Sequence, residues 1–136
     1  MKPLATRLPL GTFEDARGHL TYAEQGQHLP FTPKRVYFMQ NVPSNATRAG
    51  VAHTSLQQVI IAAKGSVTVT VKTPSQSEEH TLTTPGDALL IPPGTWRELS
   101  HFSPDALILA LTSEGHNPAE GIKEWDTYTN WYQSQS

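Results

Sequence analysis

The sequence is 136 residues long, carries a formal net charge of −2 and contains no cysteine. Its length fits one domain over residues 1–136, and the mixed charges leave no basic stripe for nucleic acid or an anionic membrane. The lack of cysteine excludes a disulfide framework and thiolate chemistry. The N-terminus lacks an apolar signal segment, and the longest aliphatic run, at 106–111, is too short to span a bilayer, so we expect a soluble cytoplasmic protein.

Short strand-forming runs follow one another along the chain. In one of them, Val67, Val69 and Val71 alternate with polar residues, as in a half-buried strand. The predicted strands, separated by turns that are mostly rich in glycine or proline, cover residues 19–25, 34–42, 56–63, 66–72, 78–84, 87–92, 96–102 and 106–112. About eight closely spaced strands predict an antiparallel sandwich or barrel.

Only the C-terminal tail shows helical spacing. Asn117 suits a helix cap, Pro118 the first helical position and Glu120 the third. Three apolar residues would share one stripe of this helix, namely Ile122, Trp125 and Tyr132. We therefore predict an all-β fold with a short C-terminal tail that is helical or irregular.

The turns have the spacing of the two motifs of cupins, which are small jelly-roll β-barrels. Gly86, Pro92 and Gly94 occupy the glycine and proline positions of the second motif, and Arg97 stands where the motif has histidine. The first motif closes at its expected glycine, Gly65. Such residues serve turns that need a positive or a fixed φ. The chain thus resembles a single cupin-type β-barrel.

The ligand positions of a metal-binding cupin are changed in this sequence. Such cupins carry His, His, Glu and His where this chain has Val51, His53, Gln58 and Arg97. One possible ligand remains, whereas a divalent first-row metal needs three or more N, O or S ligands. We therefore expect no metal and no other cofactor.

Two interpretations of His53 stay open on spacing alone. A lone histidine beside an apolar strand is commonly a structural residue held by hydrogen bonds. On a cupin motif strand it would instead face the barrel mouth, together with Arg48, Arg97, Arg35 and Tyr37. Arginines there would lower the pKa of the imidazole and bind an anionic substrate, which indicates proton abstraction next to a carbonyl.

Longer segments cover nearly the whole chain in the order of one known family. The most specific of them are KRVY, PPGTWRE and FSPDALILAL. By these segments the chain resembles the sugar 3,4-ketoisomerases, the WxcM-like or FdtA/QdtA-type proteins. The resemblance implies a homodimeric cupin that moves the carbonyl of dTDP-4-oxo-6-deoxyglucose from C4 to C3, on the way to aminated deoxysugars.

The sequence departs from this family at one position. The family motif has two histidines that face the sugar, and here Arg48 and His53 match it while Val51 replaces the first histidine. A valine cannot carry a proton. The resemblance then implies that His53 is the base, with Tyr37 or a water as the second proton carrier. Arg97 or Arg48 would stabilise the developing oxyanion.

The resemblance also places a second strand near the sugar. Arg17 and His19 lie on that strand and are candidate substrate-binding residues. Either Tyr37 or Phe38 could face the pocket. Trp96 should point away from it, into the core or a dimer interface, because neighbouring residues of a strand alternate between its faces.

Two other functions remain open. One is a dTDP-sugar 3,5-epimerase-like enzyme, since that family uses a metal-free jelly roll with a histidine base and a tyrosine acid. Those epimerases pair their histidine with an aspartate, and we expect no acidic partner close to His53. The other is a non-catalytic nucleotide-sugar-binding cupin, which Val51 favours. The sequence decides neither the configuration at C4 of the product nor the base of the nucleotide.

Overall fold

The computed structural model describes residues 2–135, apart from the side chain of Ala49. Its strands are β1 (Thr6–Pro9), β2 (Gly11–Asp15), β3 (Gly18–Tyr22), β4 (Arg35–Gln40), β5 (Arg48–His53), β6 (Gln58–Lys64), β7 (Val67–Lys72), β8 (Ser77–Leu82), β9 (Asp87–Ile91), β10 (Trp96–Ser100), β11 (Leu107–Thr112) and β12 (Gly121–Ile122). One helix, α1 (Trp125–Ser134), follows them. Within residues 2–135, no helix has the length and apolar character needed to cross a membrane.

The strands form two antiparallel sheets of five strands and a separate hairpin. The first sheet has the order β1-β9-β6-β11-β4, the second has the order β12-β5-β10-β7-β8, and β2 pairs with β3. The two large sheets share one apolar core, in which Val67, Val69 and Val71 of β7 are fully buried with Ile60 and Ile108 of the opposite sheet. The predicted all-β architecture is confirmed, and its strands lie in open sheets.

Most predicted strands coincide with observed ones to within a few residues. The predicted runs include none of β1, β2, β5 and β12, although the cupin motif implies a strand at His53. Four of the five residues of β2 are exposed, so this strand has no buried face to give an apolar alternation.

The predicted start of the helix is wrong. The helix begins at Trp125, whereas Asn117 opens a turn in which its backbone and side-chain oxygens accept the N–H groups of Glu120 at 3.0 Å and Ala119 at 3.1 Å. The chain then forms β12 at Gly121–Ile122. Asparagine favours such a turn for the reason that it favours a helix cap, because its side chain accepts a nearby backbone N–H.

Aromatic side chains attach α1 to the outer face of the second sheet. Trp125 and Tyr128 lie 5.3 and 5.6 Å from Trp96, measured between ring centroids. The hydroxyl of Tyr128 donates to the carbonyl of Gly94 at 2.8 Å. Gly94 has a φ of 84°, the left-handed conformation that glycine adopts easily. The helix therefore holds the turn that leads into β10, and Trp96 is buried in an apolar cluster between the second sheet and the helix.

Candidate active site

A cavity of about 90 Å³, here called the inner cavity, opens at β4, β5, β6 and β10. Its lining residues are Tyr37, Met39, Arg48, Val51, His53, Gln58, Ile60, Arg97 and Leu99. All four positions that correspond to cupin metal ligands are among them. The motif spacing therefore correctly predicts that Val51, His53, Gln58 and Arg97 meet in one place.

Most of the predicted site residues lie at or beside this cavity. Tyr37 lines it, whereas Phe38, the next residue on β4, is 60% exposed on the other side of the strand. Arg48 lines the cavity too, and the guanidinium carbon of Arg35 lies 4.8 Å from the centre of the Tyr37 ring. The structure thus answers which of the two aromatic residues faces the pocket.

The structure does not bring Arg17 and His19 to the inner cavity of their own chain. Both lie on the β2–β3 hairpin, where the side chain of Arg17 is 86% exposed and that of His19 is 75% exposed. Arg17 binds Asp15 at 2.6 Å, and His19 lies 3.5 Å from Glu14. Neither residue lines the inner cavity of its own chain.

An acidic partner of His53 is present, so the expectation that none lies close is wrong. Oε1 of Glu120 lies 2.5 Å from Nδ1 of His53. The two residues are far apart in sequence, and they meet because β12 pairs with β5 so that Gly121 faces His53. A carboxylate can only accept, so Nδ1 carries the hydrogen and Nε2 is left to accept a proton from a ligand.

Glu120 is itself held in place by the loop that follows β5. Its side chain is 7% exposed, and its Oε2 accepts the backbone N–H groups of Ser55 and Leu56, each at 2.9 Å. Burial alone would raise the pKa of this carboxyl, but these two hydrogen bonds and the contact with His53 outweigh it and lower the pKa. Glu120 is therefore a charged and immobilised acceptor.

The pKa of His53 is lowered from its ordinary value. Burial has the largest effect, and the positive charge of Arg97 acts in the same direction. The hydrogen bond to Glu120 and its charge oppose them without cancelling them. His53 is therefore a neutral imidazole at neutral pH, which is the form that can take up a proton.

A chain of hydrogen bonds crosses the floor of the inner cavity. Arg97 is 1% exposed and donates to Oε1 of Gln58 and to the carbonyl of Thr95, both at 2.9 Å. Nε2 of Gln58 donates to the hydroxyl of Tyr37 at 2.6 Å. A guanidinium cannot accept, so the orientation of the Gln58 amide is fixed and the Tyr37 oxygen is an acceptor in this chain. The proton of Tyr37 is then free to be donated to a ligand.

The cavity is better suited to an anion than to a metal ion. Burial lowers the pKa of Arg97 to about 10, so it stays positively charged at neutral pH. Its Nε has no hydrogen-bond partner among the described residues, although a buried donor is costly to leave unpaired. Nowhere in residues 2–135 do three His, Cys, Asp or Glu side chains converge as a metal site requires.

Comparisons with known proteins match nearly the whole chain. Residues 5–133 match the protein-family model FdtA, described as WxcM-like, C-terminal. A curated relative, TDP-4-oxo-6-deoxy-alpha-D-glucose-3,4-oxoisomerase from Aneurinibacillus thermoaerophilus, is 30% identical over 117 residues, which cover 86% of this chain and 84% of the relative.

Two solved structures share the fold and close to a third of the sequence. QdtA, a sugar 3,4-ketoisomerase from Thermoanaerobacterium thermosaccharolyticum in complex with TDP, has a TM-score of 0.95 and 31% identity and covers 99% of this chain and 98% of its own. The WlaRB TDP-quinovose 3,4-ketoisomerase from Campylobacter jejuni has a TM-score of 0.88 and 32% identity, with coverages of 93% and 97%.

The paired geometry predicts how His53 titrates. In an NMR titration, the pKa of His53 should lie below its unperturbed value of about 6.5. The change Glu120→Gln should lower this pKa further, because it removes the charge that favours the imidazolium ion. The control Glu114→Gln removes a weaker contribution of the same sign and should have a smaller effect. A His53 pKa above the unperturbed value would contradict this description of the site.

Proposed function

The chain belongs to the WxcM-like FdtA family, and from this membership we propose that it converts a dTDP-4-oxo-6-deoxyhexose to the 3-oxo isomer in deoxyamino-sugar biosynthesis. The relatives described above, each about 30% identical to this chain, are sugar 3,4-ketoisomerases, which makes it an isomerase. The observation that carries the proposal is the neutral His53, held by Glu120 beside a buried arginine in the inner cavity.

The reaction requires a base that works next to a carbonyl. The C3–H bond of the substrate is acidified by the C4 carbonyl, and we assign its proton to Nε2 of His53. The electrons of that bond form an enediolate between C3 and C4. His53 then returns the proton to C4, and the carbonyl is left at C3. One base can serve both carbons if it reaches them from the same face of the sugar, so the absence of a second histidine at Val51 does not prevent turnover.

The two sugar oxygens also exchange a proton in this reaction. In the proposal, Tyr37 donates its hydroxyl proton to O4 as the enediolate forms and regains one from O3 as the new carbonyl appears. The hydrogen bond from Gln58 supports this role, because it leaves the Tyr37 proton free for the substrate. Arg97 and Arg48 stabilise the negative charge that develops on O4 until Tyr37 protonates it to the enediol, and then the charge left on the Tyr37 oxygen, because a fixed cation is most effective in a buried site.

We propose that this chemistry needs no metal. Where a cupin would hold its ion, Arg97 donates to Gln58 and supplies a positive charge from the protein itself. The third changed position, Val51, offers no donor atom. Arg97 therefore supplies the positive charge that a metal ion would contribute as a Lewis acid.

We further propose that the protein acts as a homodimer in which the β2–β3 hairpin crosses to a second copy. Large apolar side chains are exposed on the hairpin, where Phe13 is 57% and Leu20 is 56% exposed. On β4, at the edge of the first sheet, Phe38 is 60% exposed. Such edges and patches favour pairing with another chain. The crossing would bring Arg17 and His19 to the cavity of the partner.

Replacing the proposed base tests the mechanism. His53→Asn should lower turnover of dTDP-4-oxo-6-deoxyglucose by about 10²-fold or more, because a general base is lost. Affinity for TDP and the folded state should be retained. Proton exchange at C3 in deuterated water, followed by NMR, should fall in parallel. The control His101→Asn changes an exposed residue with a φ of 54°, which asparagine tolerates, and should leave turnover unchanged.

The same measurement separates the alternatives. Full turnover in His53→Asn would remove His53 from the mechanism. A wild-type protein that binds TDP but shows no exchange would be a binding protein. Exchange with inversion at C3 or C5 and no shift of the carbonyl would identify an epimerase.

The dimer proposal predicts complementation between two inactive variants. Arg17→Ala keeps His53, and His53→Asn keeps Arg17, so a mixed dimer contains one intact site if Arg17 acts in the partner's cavity. We expect the mixture to regain activity after subunit exchange, although each variant alone is nearly inactive. A monomeric mass in light scattering at micromolar concentration, or no gain of activity once mixed dimers have formed, would contradict the proposal.

A further inference from the structure

The turn that joins β9 to β10 contacts both charged sides of the active site. It consists of residues 92–95 and is here called the 92–95 turn. The backbone N–H of Gly94 donates to the carbonyl of His53 at 2.7 Å. The carbonyl of the next residue, Thr95, accepts the guanidinium of Arg97 at 2.9 Å. One short turn therefore holds the backbone of the proposed base and the side chain of the proposed cation.

Tyr128 of α1 holds this turn from the opposite side of the sheet. The residue is fully buried, and its hydroxyl donates to the carbonyl of Gly94 at 2.8 Å. A second acceptor, the carbonyl of Lys72 at the end of β7, lies 3.3 Å away. Burial raises the pKa of Tyr128 to about 12, so the hydroxyl keeps its proton and stays a donor at neutral pH. Tyr128 does not line the inner cavity and so does not contact a ligand there.

Gly94 gives the turn little conformational preference of its own. Glycine adopts positive and negative φ about equally well, and the prolines at 92 and 93 fix only their own φ. Contacts from the surrounding structure must therefore select the observed φ of 84°. The hydroxyl of Tyr128 makes such a contact with the carbonyl of Gly94. Without the hydroxyl, this carbonyl loses a partner and the turn loses a restraint.

We propose that Tyr128 is a positioning residue for the isomerisation, and that its hydroxyl sets the positions of His53 and Arg97 through the 92–95 turn. This assignment rests on the proposed function, because it gives the turn a part in proton transfer. The base must take its proton while the cation stabilises the charge that develops, so the two side chains must keep their relative positions. A misplacement of about 1 Å can lower a rate by roughly 10²-fold. The helix thus contributes to catalysis without contacting the ligand.

Removal of the hydroxyl tests the assignment. Tyr128→Phe keeps the ring that packs on Trp96. At a temperature well below its melting point, we expect kcat for dTDP-4-oxo-6-deoxyglucose to fall about tenfold, with KM and TDP affinity within about twofold of the wild type. The control Tyr132→Phe removes a hydroxyl from a residue of the same helix that is 36% exposed. It should behave like the wild type.

The NMR titration of His53 separates positioning from a loss of stability. Burial and then the charge of Arg97 lower this pKa, whereas Glu120 and Glu114 raise it. If Arg97 is no longer held in place, its effect should weaken. The pKa of His53 should then rise toward its unperturbed value of about 6.5 in Tyr128→Phe. A loss of stability alone would leave this pKa unchanged in the folded protein.

A second variant disturbs the same turn while the hydroxyl of Tyr128 remains. A Cβ added at Gly94 would lie 3.6 Å from Trp131, an ordinary contact, so the strain in Gly94→Ala comes from its positive φ. We expect kcat to fall as in Tyr128→Phe. The two losses should not multiply in the double variant, because both act on one turn. The control Gly26→Ala has a matching φ of 85° and no atom within 4 Å of the added Cβ, so it should lower stability and leave kcat unchanged.

Three results would overturn the assignment and leave the proposed function intact, provided that the wild type isomerises its substrate. The first is an unchanged kcat together with an unchanged pKa of His53 in folded Tyr128→Phe. The second is a loss of activity that only follows the fraction of unfolded protein. The third is a pair of losses that multiply in the double variant. A wild type that neither isomerises the sugar nor exchanges its C3 proton would instead refute the proposed function itself.

Discussion

The hydrogen bond between His53 and Glu120 is the contact on which the site depends. It joins β5 to the end of the turn before β12, and the same carboxylate caps the N–H groups of Ser55 and Leu56. One buried acceptor thus fixes the tautomer of the histidine, its ring orientation and the loop after it. Loss of this acceptor would leave three donors unpaired at once, and each buried unpaired group is costly.

The surroundings of His53 shift its pKa in opposite directions, and each of the two effects suits a general base. Burial and Arg97 disfavour the imidazolium ion, so the resting histidine is neutral and ready to accept a proton. Glu120 favours the imidazolium ion. In the proposed reaction, the carboxylate would therefore lower the free energy of the state in which the proton has just left the substrate. Glu120 limits the cost of proton transfer without protonating the base beforehand.

The four positions that hold a metal ion in other cupins still line one cavity, but three of them carry side chains that are not metal ligands. Val51, His53, Gln58 and Arg97 still line one cavity, but Gln58 and Arg97 bind each other there. In the proposed reaction, the guanidinium of Arg97 supplies the positive charge that a metal ion supplies in other cupins. The resulting site can hold an enediolate, which fits an isomerisation whose only transfers are of protons.

The sequence predicts those parts of the molecule that depend on local rules. Valine alternation locates β7, motif spacing brings His53 and Arg97 together, and strand alternation turns Trp96 to the opposite face of β10, under the helix. The contact between Glu120 and His53 is not predictable from the sequence, because it depends on the register of β12 against β5. No local sequence pattern indicates that register. The sequence Asn117 to Glu120 even suggests a helix, since caps and turns use the same side-chain hydrogen bond.

The pH dependence of kcat/KM, compared with the NMR titration of His53, tests the central claim most directly. If neutral His53 is the base, activity falls as the pH drops through its pKa, so the acidic limb should have its midpoint at the measured pKa, below about 6.5. In Glu120→Gln, both the midpoint and the pKa should move to lower pH together. An acidic limb that does not coincide with the titration of His53, or that stays in place when the pKa of His53 moves, would contradict the assignment of His53 as the base.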